Sequence, residues 1–383
     1  MIGRLSPLAA GIALLFTGAA AGPGATAPDR IFDTEKGRIA VSVVADGLDH
    51  PWGIDLLPDG TIIVTEKPGR LRLVTPDGKV SKPLGGVPTV DDRSQGGMLD
   101  VTLHPAFATN RFVYLSYSEP GPGRTSSTAL ARGKLSADRS GLDNVKVLFS
   151  QRPKLGATRH FGSRVVFAPD GTVFLTTGDR GNRHLAQKLD GHVGKVIRVT
   201  EDGRVPPDNP FVGKAGTAPE IWSYGHRNMQ GAAIHPVTGR LWTIEHGPRG
   251  GDEINIPAAG ANHGWPLVSH GIEYSGGPVG DGRKFLKGVA NPIVTWTPVI
   301  APGGMAFYTA GLFPAWKGNL LIGGLRSRAL VRLELDGDRV VHEERLLRRM
   351  ESRIRDVAIG PDGAVYAITD ESDGRILRIA PAK

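Results

Sequence analysis

One pattern recurs six times along this chain and limits what it can fold into: an apolar run, a tight turn, and a second apolar run. It reads WGIDLLPDGTIIVTEK from Trp52, VTLHPAFATNRFVYLSYS from Val101, VVFAPDGTVFLTTGD from Val165, AAIHPVTGRLWTIEH from Ala232, MAFYTAGLFPAWKGNLLIGGL from Met305 and VAIGPDGAVYAITD from Val357. In each, the proline begins a turn and glycine, where present, takes backbone angles closed to other residues, so two strands are joined as a hairpin. The turn prolines are Pro58, Pro105, Pro169, Pro236, Pro314 and Pro361, spaced 47 to 78 residues apart. The shortest spacing suits a four-stranded unit, and the longer ones leave room for loops on one face. A lone hairpin cannot bury its own apolar face, whereas six in a ring can. The expected fold is therefore all-β, a six-bladed β-propeller of four-stranded antiparallel blades. Residues 28–48 offer an outer strand that would close the ring with the last blade. A pair of β-sandwiches is the alternative, but it would not need six similar units.

Composition agrees with strands and turns: 53 glycines and 29 prolines in 383 residues, with little helical periodicity. Near the N-terminus an early Arg4, an apolar stretch from Leu8 to Phe16 and then small residues read as a secretory signal. Cleavage fits after Ala19-Ala20-Ala21 or Ala25-Thr26-Ala27, and a retained membrane anchor is the other reading, although the apolar core is short for a span. The expected organisation is a signal peptide over 1–27 and a single propeller domain over 28–383, periplasmic or secreted, with no span in the mature protein. No cysteine is present, which excludes disulfides and thiol chemistry and leaves packing or a bound metal to supply stability. The formal net charge is +8, yet no Lys/Arg block of five or more occurs, so nucleic acid is not the expected partner. Nothing in the chain specifies its oligomeric state, and a monomer is the simplest expectation.

Ligands of propellers gather over the central channel, so polar residues just before or after each hairpin are the candidates. They are Gln95 in QGGMLDV, His160 in RHFGSR, Asp179 in TTGDRG, Arg227 and Asn228 in SYGHRNMQG, Glu245 to Glu253 in EHGPRGGDE, Arg326 in LIGGLRSR, and Arg353 and Arg355 in ESRIRDV. Each alone has an ordinary structural reading: a satisfied histidine, or an aspartate capping a turn. Together, Arg227, Arg326, Arg353 and Arg355 would crowd cations around one cavity, which is costly unless an anion neutralises them. A planar polycarboxylate suits guanidinium groups well. The turn EHGPRGGDEIN offers carboxylates and free carbonyls, an oxygen set that fits Ca²⁺ better than zinc, and it can equally be a plain acidic turn.

The segments RHFGSRVVFAPDG, SYGHRNMQG, EHGPRGGDEIN, NHGWP and RIRDV together resemble the soluble pyrroloquinoline quinone (PQQ) dependent aldose sugar dehydrogenases, over nearly all the chain after the signal segment. The resemblance implies a propeller that carries PQQ, a tricarboxylated quinone, across the channel mouth together with Ca²⁺, and oxidises aldoses to lactones. It implies that His160 is the general base, Asp179 its orienting carboxylate and Gln95 a neighbour on the substrate side. Arg227 and Asn228 would contact the cofactor and its reacting oxygen, while Arg326, Arg353 and Arg355 would bind its carboxylates or ring oxygens. The carbonyls of Gly247 and Pro248 would hold the cofactor's Ca²⁺, and Glu253 with the His263 carbonyl a second one. Arg326 departs from the lysine of glucose-oxidising relatives; it keeps the charge and changes the reach. An aldose is then the substrate and the electron acceptor is unspecified. Two rivals are a non-catalytic exported propeller that binds a carbohydrate or a partner, and a Ca²⁺-dependent lactonase, which would want acidic and amide groups pointing down the channel.

Overall fold

The computed structural model describes residues 30–382, so the signal segment and both cleavage positions lie outside it. All six repeats form hairpins: Pro51–Leu56 with Ile62–Glu66, Met98–Leu103 with Phe112–Pro120, Gly162–Phe167 with Val173–Thr177, Met229–Ile234 with Leu241–Glu245, Pro302–Phe307 with Leu320–Gly324, and Ile354–Ile359 with Val365–Thr369. Each hairpin supplies the first two strands of one antiparallel sheet. The first strands contact one another in cyclic order, and the sixth returns to the first, so the sheets are blades around a closed ring. The expected six-bladed propeller is what forms.

Four blades have four strands; the first has three and the last five. In the first blade the outer position is reduced to a single bridge between Val74 and Val80, because Pro83 and Pro88 follow and cannot donate to a ladder. In the last, Gly37–Leu48 pairs with Gly374–Pro381 and Arg30–Thr34 lies outside it, so the N-terminal segment closes the ring as expected and adds one strand more. Ile39 and Val41 on that strand pack with Leu377, Ile379, Phe313 and Trp316 in one buried cluster, where the last two rings stack at 4.2 Å. Truncating a buried aromatic of this kind costs about 3–5 kcal/mol.

Alternation explains the packing between blades. Every second strand of the six hairpins is buried along its length except that of the second blade, which runs on to an exposed end. Strands covered on both faces read as continuous apolar runs, which is why IIVTE, VFLTT and LWTIE look alike. Every first strand also carries a register shift near its start. A bulge of this kind re-aims side chains, here at the ring centre. Arg164, on the third blade, reaches across to Asp100 of the second (2.6 Å), Asp356 of the sixth (2.8 Å) and the Gln230 carbonyl of the fourth (3.2 Å). Glycines make the room: a Cβ on Gly304 would lie 1.6 Å from an Asp356 oxygen, and one on Gly53 2.9 Å from Asp100. The channel is thus plugged by a buried ion-pair network.

Candidate active site

One face of the ring carries every position where a first strand begins and a second strand ends, and the hairpin turns lie at the other. Loops on that first face enclose a cavity of about 490 Å³. Gln95, His160, Arg227, Asn228, Gly247, Pro248, Arg326, Arg353 and Arg355 all line it, so most of the residues selected from the sequence converge. A second cavity of about 340 Å³ adjoins it and is lined by Asp179; the two share Gln95, His160, Arg227, Pro248 and Tyr274. His160 therefore stands at their junction.

The His160 backbone is held at φ +55, in the left-handed region that a histidine adopts only when its surroundings impose it. Gln95 supplies part of that hold, its Oε1 accepting from the His160 backbone N–H at 2.8 Å. The imidazole Nδ1 lies 2.7 Å from Asp179 Oδ1, while Nε2 has no hydrogen-bond partner among the described residues and His160 lines both cavities. Asp179 is fixed in turn by the Gly181 N–H (2.7 Å) and the Trp265 indole N–H (2.8 Å). An ionised carboxylate accepts at Asp179, so Nδ1 carries the proton and Nε2 presents a lone pair. Burial pushes the His160 pKa below its ordinary value, Asp179 opposes this, and the charges of Arg227 and Arg159 add to it. Burial would raise Asp179, but the His160 hydrogen bond and the Arg227 charge hold it below the usual carboxylate range. The pair thus presents a neutral imidazole with a fixed tautomer.

The larger cavity is strongly cationic. Lys67, Arg227, Arg326, Arg353 and Arg355 line it against only Asp252 and Asp370. Arg355 spans from Gln230 Oε1 (2.7 Å) to Asp370 (2.7 Å), and Arg353 meets the same Asp370 oxygen at 3.0 Å. Arg227 donates to the His246 carbonyl at 3.0 Å and lies over the Trp265 ring at 5.2 Å, with its Nε buried and unpartnered; the Arg355 Nε is likewise unpartnered. Arg326 makes no side-chain hydrogen bond among the described residues. Asn228 turns its Oδ1 to the Gly162 N–H at 3.1 Å, joining two blades. An excess of three positive groups with orphaned N–H donors fits a planar tricarboxylate, so PQQ matches this lining in charge.

Oxygen donors for a cation stand beside it. The Gly247 and Pro248 carbonyls accept no hydrogen bond among the described residues and border the cavity. Glu253 and His263 are not in that cavity: they line, with Glu245, an adjoining void of about 20 Å³, room for one ion or water. Burial and then the Glu245 charge push Glu253 well above the usual carboxylate range, and its only donor among the described residues is the Asn255 amide at 2.9 Å. Among the described residues, both ring nitrogens of His263 are buried without partners and its carbonyl accepts no hydrogen bond. A hard cation there would relieve the excess carboxylate charge, so the donor set fits Ca²⁺.

Several residues at the site were not among those chosen from the sequence. The first blade, which offered no candidate, contributes His50, Trp52 and Lys67. Trp52 packs under Arg164 (4.8 Å) and Arg355 (5.8 Å), so it joins the channel plug to the cavity floor. Asp370 ends the sixth repeat where Asp179 follows the third, a correspondence the repeat alignment carries. The channel below is not simply cationic either: Asp55, Asp100 and Asp356 lie there, burial raising Asp55 to about 6 and pushing Asp100 up as well. Arg164 donates to both Asp100 and Asp356, so these channel carboxylates are already paired with a cation of the chain itself.

Residues 48–378 match the family model described as glucose/sorbosone dehydrogenase. Over 345 residues the chain is 44% identical to the aldose sugar dehydrogenase YliI of Escherichia coli K12, covering 90% of this chain and 93% of that one. It superposes on the crystal structure of a glucose dehydrogenase with a TM-score of 0.88 and 49% identity, over 90% of this chain and 99% of that one. The PQQ-bound aldose sugar dehydrogenase of Streptomyces coelicolor is similar with a TM-score of 0.75 and 28% identity, over 94% of this chain and 99% of that one. With a plugged six-bladed ring, a histidine–carboxylate pair at the junction of two cavities and these relatives, the chain belongs to the glucose/sorbosone dehydrogenase family, as an oxidoreductase of the aldose sugar dehydrogenase kind that acts on sugar alcohol groups.

Proposed function

We propose that this protein is an exported, periplasmic or secreted, PQQ- and Ca²⁺-dependent dehydrogenase that oxidises aldoses at the anomeric carbon to lactones. The observation that carries this is the position of His160, whose free Nε2 stands where a cationic cavity and a second polar cavity meet. The larger cavity would take the cofactor and the smaller one the sugar. Arg326, Arg353 and Arg355 would hold the cofactor's carboxylates, Arg227 and Asn228 its quinone side, and the Gly247 and Pro248 carbonyls the associated Ca²⁺. Glu253 and the His263 carbonyl would hold a second Ca²⁺. When bound, PQQ supplies the two-electron oxidant that accepts the hydride from C1.

His160 Nε2 accepts the proton of the anomeric hydroxyl as the C1–H bond breaks and the carbonyl forms, so the sugar loses one hydride and one proton. Asp179 stabilises the resulting imidazolium and keeps Nδ1 protonated. Arg227, fixed by Trp265 and the His246 carbonyl, would offset negative charge on the bound cofactor without reorganising. Gln95 holds the His160 backbone in place.

The test is reconstitution of the purified chain with PQQ and Ca²⁺, followed by addition of an aldose and a redox dye. Dye reduction that requires both additions, with lactone as product, is expected. Sugar binding without reduction would leave only a carbohydrate-binding propeller, and lactone hydrolysis without PQQ would make it a lactonase. The natural electron acceptor is a separate question that the dye assay bypasses.

A further inference from the structure

The smaller cavity holds three guanidinium groups and two carboxylates, and their pairing leaves one cation over. Asp179 has both oxygens engaged, Oδ1 by His160 and the Gly181 N–H, Oδ2 by Trp265. Glu273 is taken by both terminal nitrogens of Arg183. Arg227 is turned to the His246 carbonyl and the larger cavity. Arg159 remains: it lines the cavity, and its guanidinium has no carboxylate or carbonyl partner among the described residues.

It is a solvent-exposed residue. The guanidinium lies against the backbone of Gly181, where a Cβ would come within 2.8 Å of Nε and 3.1 Å of Nη2. Gly181 has φ +70, so the turn that carries Asp179 and the surface that seats Arg159 both depend on it. The Arg159 charge also lies close enough to His160 to depress its basicity. A planar donor fork seated beside the base, and not neutralised by the protein, is suited to bidentate recognition of an oxyanion on the molecule that the base acts on.

We propose that Arg159 determines substrate choice by binding an anionic substituent on the aldose, so that sugars bearing a carboxylate or a phosphate are preferred over neutral ones. This rests on the reading of the His160 side as the sugar site. A paired Glu273 does not repel such a substrate, because Arg183 neutralises it in bidentate fashion. The neighbouring cofactor, being anionic, would otherwise disfavour a charged sugar, and Arg159 supplies the compensating charge.

The test compares kcat/KM for D-galacturonate, D-galactose 6-phosphate and D-galactose in the reconstituted enzyme, for the native chain and for Arg159→Gln and Arg159→Lys. The native chain should favour one of the anionic sugars, and which one identifies the oxyanion. Arg159→Gln should lower the ratio of anionic to neutral kcat/KM by about 10- to 100-fold, the range expected for a charge-assisted hydrogen-bonded pair. Arg159→Lys should fall between, since it keeps the charge and loses the fork. Calorimetric titration of the same three sugars into protein without PQQ gives a second readout: anionic sugars should bind more tightly than galactose, weaken with added salt, and lose that advantage in Arg159→Gln. Preference for galactose in the native chain, or an equal loss for all three sugars in the variant, would overturn the proposal. If no sugar reduces the dye, the dehydrogenase reading fails, while the titration still decides whether Arg159 binds the anion.

Discussion

The third and fourth blades each carry a histidine before the first strand and a carboxylate at the end of the second or just past it, separated in both cases by 19 residues: His160 with Asp179, and His226 with Glu245. The Nδ1 to carboxylate distances are 2.7 and 2.9 Å. As pairs they are the same device at nearby places in neighbouring repeats: His160 stands two residues ahead of its first strand and His226 three, while Asp179 lies two residues past its second strand and Glu245 is the last residue of its own. They differ at the other nitrogen. His160 Nε2 is open to two cavities, whereas His226 is fully buried, its Nε2 capped by Ser223 Oγ at 2.9 Å and its ring stacked on His263 at 4.6 Å. Glu245 also accepts from the Arg227 and Asn228 backbone N–H groups, so the fourth-blade pair sets the backbone from which two cavity-lining side chains project. On the proposed function, a histidine and carboxylate would be a base or a brace according to what Nε2 meets, which neither spacing nor residue type reveals.

The sharpest way to break this comparison is to delete each imidazole. His160→Ala should reduce turnover by a factor on the order of 10²–10⁴ while leaving PQQ binding and thermal stability nearly intact. His226→Ala should instead lower Tm and loosen cofactor binding, because it empties a sealed site and frees Glu245; absorbance titration with PQQ and calorimetry separate the two. Should His226→Ala abolish turnover with normal Tm and cofactor affinity, the division into base and brace fails.

Next in size is Asp179→Asn. The amide no longer enforces the Nδ1–H tautomer or stabilises imidazolium, so turnover should drop by roughly 10²-fold or more. Its pH signature has a definite sign. Asp179 raises the His160 pKa, so without it the imidazole stays neutral to lower pH, and the acid limb of the kcat/KM profile should move down. Arg159 lowers that pKa, so Arg159→Gln should move the limb up. Opposite shifts from two neighbours of one imidazole would identify the titrating group as His160, and no shift in either would assign the limb elsewhere.

The fold was open to sequence reasoning because a repeat states the same constraint six times: every strand pair and the ring-closing N-terminal strand follow from period and polarity, although the second and fifth connections are not the tight turns expected but longer segments that carry the short helices Phe107–Asn110 and Pro314–Trp316. The converging arginines were legible for the same reason, since position relative to the hairpin places a residue on one face. What escaped was pairing. Asp370, which ties Arg353 and Arg355 together, stands 15 or more residues from both, and Arg164 with Asp356 is separated by 192. Such partners are fixed by where the ring closes, a global property that no local window contains. The first-blade residues His50, Trp52 and Lys67 were hidden differently, because they look like ordinary strand ends until five other blades surround them.

A smaller effect is expected from the carboxylate beside the brace. Adding Ca²⁺ to the protein without PQQ should raise Tm by several degrees, as a ligand at 100 times its Kd adds about 2.7 kcal/mol, and chelation should reverse it. Glu253→Gln should remove most of that response, since the amide keeps the Asn255 neighbourhood but not the charge. Retention of the full Ca²⁺ shift in this variant would move the cation to another site.

The finest distinction between the two pairs rests on a single hydroxyl. Ser223→Ala removes the cap on His226 Nε2 without disturbing Nδ1, and in a buried setting the lost hydrogen bond should cost about 1 kcal/mol of stability. If openness of Nε2 by itself made a base, this variant would gain a second one. It should not, because His226 would still face the protein interior and the His263 ring rather than a cavity. Turnover within twofold of native, together with a small drop in Tm, is therefore the expected result. A turnover change larger than the stability change would mean that the fourth-blade pair reaches the chemistry directly, through the Arg227 and Asn228 backbone that Glu245 holds.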